Sequence, residues 1–181
     1  MKKNIQEKVK IPEGVHISLN NGTFHVKGPK GEVARKMVNP KVAYEIKDGS
    51  VIFSAKKATK REKRMIGTFS AHLNQMIIGV TRGHEYKLKV CSSHFPITAE
   101  VSGKEFVVKN FLGEHIPRKF KIQEGVNVKV EGDIVTVSSP NREIAGCTAG
   151  AIEQVCRITN RDRRIFQDGI YITSKPKREI K

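Results

Sequence analysis

The chain has 181 residues and carries 34 basic against 18 acidic side chains, a net charge of +16. This length allows one domain or two small ones, and a globular protein this basic usually binds a polyanion: nucleic acid, an acidic membrane surface or an acidic protein. The sequence has no apolar run of about 18 residues and no apolar stretch behind its first lysines, so we expect neither a membrane span nor a signal peptide. Three widely spaced cysteines are typical of reduced thiols in the cytosol.

The positive charge is unevenly distributed along the chain. Residues 1–82 carry 17 basic and 6 acidic residues, residues 83–156 carry 9 of each, and residues 157–181 carry 8 and 3. The second half therefore has a neutral body and a basic end, which indicates a docking surface rather than uniform solubilising charge.

In the first half, apolar residues alternate over 16–26 around Asn21-Gly22, which predicts a hairpin with a two-residue turn. A second hairpin is expected over 42–54, turning at Asp48-Gly49. The period then changes to three and four residues, which predicts a helix whose apolar stripe is Met65, Phe69, Leu73, Met76, Ile77 and Val80. A strand follows at 86–90.

The second half repeats this order. Hairpins are predicted over 97–108 and 126–138, and Ser139-Pro140 is interpreted as a helix start with proline at the first helical position. The expected stripe of this helix is Ile144, Thr148, Ala151, Val155 and Ile158. A short strand at 170–172 would close the domain.

Local matches support a duplication. Residues 24–32 align with 106–114 at five identical positions of nine, residues 48–52 lie over 131–135, and the helices share a glycine and a glutamine at equivalent places. The sequence thus predicts an α+β protein of two tandem domains, each a small, mainly antiparallel sheet with one helix packed on it. We expect the repeats to span 1–82 and 83–173, followed by a basic tail, 174–181, that is mobile until bound.

The strongest candidate site is the stretch 154–175. Its arginines have only Asp162 as a nearby acid, and guanidinium groups suit phosphate oxygens because they donate two parallel hydrogen bonds. Because they lie between a helix and a strand, they are predicted to occupy a nucleic-acid-binding loop. Phe166 is interpreted as a core anchor rather than a base-stacking residue, and Asp168-Gly169 as a turn in which Asp168 orients an arginine. The RNA-binding candidates are Arg157, Asn160, Arg161, Arg163, Arg164, Lys175 and Lys177.

A second, weaker set of candidates lies in the first half. One group surrounds the start of the first helix, where the alternative is a solvated helix end. The other is the turn 27–31, where the alternative is a plain hairpin exit, since the ending of a nucleotide-binding loop is missing. The residues proposed as secondary RNA contacts are Lys56, Lys57, Lys60, Arg61, Lys27 and Lys30, with Lys63 and Arg64 beside them.

Catalytic and metal-binding patterns are weak. Cys91 and His94 are close in sequence, but Cys147 and Cys156 fit no zinc spacing and are expected in a helix core. We predict no metal, no cofactor and no enzymatic activity. Exposed aromatic residues at fixed strand positions are not evident, so basic loops that bind the backbone of folded RNA are favoured over sheet-surface base stacking.

The chain also resembles a known family, that of the sixth protein of the large ribosomal subunit, called the ninth in eukaryotic cytoplasm. The resemblance is to its archaeal and eukaryotic branch, and extends over 26–31, 74–77, 79–81, 94–97 and 110–114. Its most specific part is a signature formed by Gln154, Ile158, Arg161, Arg164, Phe166, Asp168, Gly169, Ile170, Tyr171, Ile172 and Lys175.

The resemblance implies two tandem α+β domains and binding to large-subunit ribosomal RNA, mainly through the second domain. It also implies a place in the cytoplasmic ribosome near the sarcin–ricin loop, the stalk base and the translation-factor GTPase site, with ribosomal proteins of the stalk base as neighbours. The alternatives left open are an accessory domain of an RNA-modifying enzyme and a basic DNA-binding protein.

Overall fold

The computed structural model describes residues 3–47, 49–162, 164–176 and 178–179, and it divides the chain into two compact units, Met1–Gly83 and His84–Lys181. Each unit combines antiparallel strands with one long helix among these residues, which confirms the predicted α+β class. Each unit also has its own buried apolar core.

The first unit contains, in chain order, β1 (Lys3–Lys10), β2 (His16–Asn20), β3 (Thr23–Gly28), β4 (Gly31–Lys36), β5 (Ala43–Lys47), β6 (Ser50–Ala58) and α1 (Lys60–Thr81). Its described strands form two sheets with the orders β1-β6-β5 and β2-β3-β4. Helix α1 packs against strands of both sheets.

The second unit contains β7 (His84–Cys91), β8 (Thr98–Ser102), β9 (Glu105–Lys109), a 3₁₀ turn (Phe111–Gly113), β10 (Arg118–Lys121), β11 (Asn127–Glu131), β12 (Ile134–Ser139), α2 (Arg142–Val155), β13 (Gly169–Lys175) and β14 (Arg178–Glu179). Its sheet orders are β10-β9-β8 and β11-β12-β7-β13-β14. Strands β7 to β12 and α2 therefore repeat β1 to β6 and α1, and β13 is added at the outer edge of β7. The duplicated architecture is confirmed.

The turn between β2 and β3 shows why the sequence folds as predicted. Asn21 and Gly22 have φ angles of 48° and 75°, and Asn20 pairs with Thr23, so the turn has two residues with positive φ. A Cβ atom at Gly22 would lie 2.3 Å from the side chain of Val38, so only glycine fits. Such turns match the twist of a hairpin, which fixes its register.

Helix α1 follows its predicted stripe. Phe69, Leu73, Met76, Ile77 and Val80 are all buried, and Met65 lies at the border of the core. The helix begins with a capping box, in which the side chain of Glu62 accepts a hydrogen bond from the backbone N–H of Thr59 at 2.7 Å.

Helix α2 begins later than predicted. Its N-cap is Asn141, whose Oδ1 accepts from the N–H of Glu143 at 3.0 Å, so the placement of Pro140 at the first helical position is wrong. Asparagine is a strong N-cap because its side chain satisfies a free N–H at the helix end.

The fully buried face of α2 shares only Thr148 with the predicted stripe, since it consists of Ala145, Thr148, Ala149 and Ile152. Val155 and Ile158 of the stripe are partly buried against the same core. Ile158 lies beyond the end of the helix at Val155. Small residues let this helix approach its sheet closely: a Cβ atom at Gly146 would lie 2.9 Å from the hydroxyl of Tyr86. Hydrophobic periodicity missed this face because alanine adds little to it. Cys147, expected in the helix core, is exposed, whereas Cys156 is buried.

The closing strand is longer than the three residues predicted. β13 pairs with β7 and continues to Lys175, where residues 174 and 175 pair with 179 and 178 of β14. These residues of the expected tail are therefore strand, while positions 177, 180 and 181 lie outside the described residues. In the described parts of the chain, neither helix is long and apolar enough to span a membrane.

Candidate RNA interface

The predicted arginines lie on the segment from Arg157 to Asp168, which joins α2 to β13 and is termed here the arginine loop. Asp162 organises its middle. The carbonyl of Asp162 accepts from the N–H groups of Ile165 and Phe166 at 3.1 and 2.9 Å, and its carboxylate accepts from the N–H of Arg164 at 2.9 Å. These bonds organise the described backbone from which Arg161 and Arg164 project.

The two described arginines at the loop tip differ in their surroundings. The guanidinium of Arg164 forms an ion pair with Asp162, with Nη2 2.8 Å from Oδ2, and this contact lowers the pKa of Asp162. Arg161 instead lies over the ring of Phe166, with its Cζ 4.8 Å from the ring centroid. Because Arg164 already has a carboxylate partner, Arg161 is the better donor for an incoming phosphate.

Phe166 is half-buried, and its ring also stacks on the imidazole of His94, with centroids 4.8 Å apart and planes 23° from parallel. The ring therefore contacts Arg161 and His94 together. This favours its interpretation as an anchor within the protein.

Asp168 fixes the end of the loop. Its side chain is 1% exposed, and its Oδ1 accepts from the N–H groups of Ser93 and His94 at 2.5 and 3.0 Å. Its Oδ2 lies 2.5 Å from His94 Nδ1 and 3.2 Å from the Ser93 hydroxyl. Asp168 thus orients the segment that carries Ser93 and His94, not the arginine that the sequence suggested.

Burial alone would raise the pKa of Asp168. The hydrogen bonds from His94 and Ser93 outweigh that effect and hold the pKa well below the ordinary range of a carboxyl group. The side chain is therefore a buried carboxylate whose charge is stabilised by these donors.

Arg118 fixes the beginning of the loop. Its Nη1 donates to the carbonyls of Val155 and Arg157 at 2.8 and 3.2 Å, and its Nε and Nη2 bind the Glu114 carboxylate at 2.8 and 2.6 Å. The guanidinium also lies 4.3 Å from the ring centroid of Phe111. Sequence reasoning did not assign these supporting roles to Arg118 and His94, because their partners at the two ends of the loop are distant in the chain.

The remaining primary candidates are less concentrated. Arg157 and Asn160 are exposed on the arginine loop, with Asn160 in a left-handed conformation at φ 59°. Lys175 is exposed but lies at the far end of β13, about 20 Å from Gly169 at the usual rise of a strand. Arg163 and Lys177 lie outside the described residues. The structure therefore groups Arg157, Asn160, Arg161 and Arg164, and it separates Lys175 from them.

The secondary candidates also fall into two groups, one around the start of α1 and one at the turn between β3 and β4. Lys56, Lys57, Lys60 and Arg61 are exposed around the start of α1. In the turn between β3 and β4, by contrast, the Lys30 ammonium donates to the carbonyl of Arg82, and its N–H donates to the carbonyl of Val80 at 2.9 Å.

Lys30 therefore binds the C-terminal end of α1, where a cation is favourable. Lys27 stays exposed on β3, directly opposite Glu32.

No cluster of three or more potential metal ligands occurs in the described residues. His94, which the sequence placed near Cys91 as a weak metal candidate, has its Nδ1 engaged by Asp168.

Comparison with known proteins identifies the family. The sequence model described as ribosomal protein L6 matches residues 11–83 and 95–169, one segment in each unit. The chain belongs to the ribosomal protein L6 family. Three large ribosomal subunit proteins uL6 are similar over nearly their whole length, and all are archaeal.

The protein of Methanosarcina mazei is 46% identical over 175 residues, which is 97% of this chain and 99% of that protein. That of Methanobrevibacter smithii is 44% identical over 171 residues, 94% and 96% of the two chains. That of Natronomonas pharaonis is 38% identical over 174 residues, 96% and 98%.

These matches confirm the predicted archaeal-type L6 assignment. They also confirm a structural ribosomal role rather than an enzymatic one, and with it the cytoplasmic ribosome as the location.

Proposed function

We propose that this chain is a structural constituent of the large ribosomal subunit and that it binds large-subunit ribosomal RNA through the arginine loop. The observation that carries the proposal is the fixed presentation of this basic loop. Arg118 binds the carbonyls of Val155 and Arg157 where α2 leads into the loop, Asp168 holds its end, and Arg161 is supported by Phe166 between them. A rigid basic loop binds phosphates with less loss of conformational entropy than a mobile one.

The proposed contacts of this surface are Arg157, Asn160, Arg161, Arg163 and Arg164, with Lys175 and Lys177 as outlying contacts. The proposed location is near the sarcin–ricin loop, the stalk base and the translation-factor site, with neighbouring ribosomal proteins as further partners. The support for this location is the resemblance of residues 154–175 to the family signature.

A second RNA contact is proposed at the start of α1, through Lys56, Lys57, Lys60 and Arg61. Lys27 is exposed and fits the same role, whereas the ammonium of Lys30 is already bound to a carbonyl. This makes Lys30 the weakest member of the set.

The test is cosedimentation of the protein with large ribosomal subunits, together with affinity for large-subunit RNA, across a salt series. Each phosphate contact contributes about 0.7 to 0.9 to the slope of log affinity against log salt. We expect Arg161→Ala/Arg163→Ala/Arg164→Ala to reduce the magnitude of this slope by about 2. The melting temperature should stay nearly unchanged, because the described side chains of Arg161 and Arg164 are exposed.

The matched control is Lys104→Ala/Lys121→Ala/Lys129→Ala, which removes the same charge from exposed positions elsewhere in the second unit. Equal losses in both triple variants would reduce the effect to net charge. Unfolding of the arginine variant would make those side chains structural.

A further inference from the structure

A divided groove lies beside the start of α1 in the first unit. One depression, of about 450 Å³, is lined by Asn39, Arg61, Arg64 and Met65, and a second, of about 430 Å³, reaches Lys56 and Lys57. Both share a wall formed by Pro40, Lys41 and Glu62. Volumes of this size are within the range of small-ligand sites.

The wall between the depressions is held in place. Glu62 accepts from the N–H and the hydroxyl of Thr59, and its Oε1 lies 3.6 Å from the ammonium of Lys41. The Glu62 side chain is only 10% exposed. The hydrogen bonds from Thr59 outweigh the effect of burial and lower the pKa of Glu62 to about 2. The wall therefore carries a carboxylate whose negative charge is already stabilised by Thr59 and Lys41.

Four basic side chains around the groove have no acidic partner among the described residues. Lys56, Lys57, Arg61 and Arg64 are exposed, and their side chains form no ion pair with any residue that the structure describes. Arginine and lysine at the start of a helix also oppose its macrodipole, and a bound anion would offset that cost. The groove therefore favours a ligand that brings several negative charges.

The residues that line the groove restrict the class of ligand further. Pro40 and the half-buried Met65 give the first depression apolar walls beside two guanidinium groups. The base of an unpaired nucleotide suits such a space, because its ring faces are apolar, while the phosphates of the same RNA strand suit the two arginine forks. A paired base cannot enter, since its faces stay within the helix stack.

We propose that this groove binds an unpaired nucleotide of RNA, with the base between Pro40 and Met65 and the flanking phosphates on Arg61 and Arg64. An acidic peptide has the charge but no flat apolar ring to pack against Pro40 and Met65. The inference deepens the proposed function, since it gives the second RNA contact a ligand class.

The test measures binding of the full-length protein to a short single-stranded RNA, to the same sequence as a duplex, and to poly-glutamate. We expect the single strand to bind more tightly than the duplex. We expect Arg61→Gln/Arg64→Gln to weaken single-strand binding by about tenfold, because two charge-assisted contacts are lost. The control Lys8→Gln/Lys10→Gln removes equal charge from exposed positions on β1 and should change it little.

Three results would overturn the proposal: equal affinity for strand and duplex, equal loss in the groove and control variants, or poly-glutamate bound at the groove as tightly as RNA. Far-ultraviolet circular dichroism of each variant checks that it is folded. The arginine-loop triple variant separates the two hypotheses, because it should lose large-subunit RNA and keep the single-strand preference. Failure at the groove alone leaves the arginine-loop proposal standing.

Discussion

Replacing Asp168 with alanine should destabilise the second unit selectively. The change leaves the N–H groups of Ser93 and His94 without their acceptor and removes the contacts to both side chains. An unsatisfied buried hydrogen-bond donor lowers the free energy of unfolding by about 1–3 kcal/mol. We use the low end for each lost contact because the segment around Ser93 and His94 is partly solvated. The sum is about 2–4 kcal/mol, which corresponds to a fall of about 10 to 25 °C in melting temperature for a unit of this size.

The isosteric change Asp168→Asn should cost less, about 1 kcal/mol, because the amide oxygen can still accept both backbone N–H groups. Asp133→Ala is the control, since it removes an exposed carboxylate from the same unit. Thermal unfolding followed by calorimetry separates the transitions of the two units. If Asp168→Ala unfolds at the wild-type temperature, Asp168 does not hold the loop.

The pH dependence has a defined sign. The pKa of Asp168 is lower in the folded than in the unfolded chain, so its stabilisation is complete above the unfolded value of about 4 and is lost as the pH falls toward the folded value. The stability difference between wild type and Asp168→Asn should shrink as the pH falls below about 4. A difference that grows as the pH falls below about 4 would contradict the lowered pKa of Asp168.

Three further predictions concern other residues. Arg161→Ala should lower RNA affinity more than Arg164→Ala, because the latter side chain is already paired with a carboxylate; fluorescence anisotropy with large-subunit RNA compares them, and the reverse order would contradict the loop geometry. Glu62→Ala should destabilise the first unit more than Glu62→Gln, which keeps the cap, and the wild-type advantage over either should fade between pH 4.5 and about 2 in acid titrations followed by circular dichroism. Cys147 should react with a thiol reagent in the native protein, whereas Cys156, buried and with its pKa raised to about 11, should react only on unfolding; mass spectrometry of the labelled peptides tests this order.

Most of the fold could be predicted from patterns of residues that are close in the sequence. The pair Asn21-Gly22 specifies a turn that few other sequences can form, and the stripe of α1 has the spacing of one helix face. The duplication could also be predicted, because Phe24 and Phe106 occupy equivalent positions in two matching segments of the sequence. The structure places both residues in strands and buries both fully. Such features depend on residues that are close in sequence or on repetition of the sequence itself.

The contacts that hold the arginine loop in place could not be predicted from the sequence in the same way. Asp168 contacts His94 across 74 positions, and Arg118 reaches the carbonyl of Val155 across 37. Loops have no periodicity from which such partners follow. A polar residue in a turn therefore looks the same in the sequence whether its side chain is solvated or is a buried carboxylate.

The position of β13 explains why the arginine loop belongs to the second unit only. Among the described residues, both units have an equivalent set of six strands and one helix, but the second adds β13 beside β7, and the loop is the connection that this addition requires. Because the loop is fixed at both ends, its arginines and its supports should affect RNA binding in different ways. Loss of Arg161 removes a charge that faces the ligand and should reduce the salt dependence of binding. Loss of the Asp168 contacts leaves the charges in place but makes the loop mobile, so affinity should fall through entropy while the salt dependence stays the same. The slope of a salt titration therefore distinguishes a residue that touches RNA from one that only positions the loop.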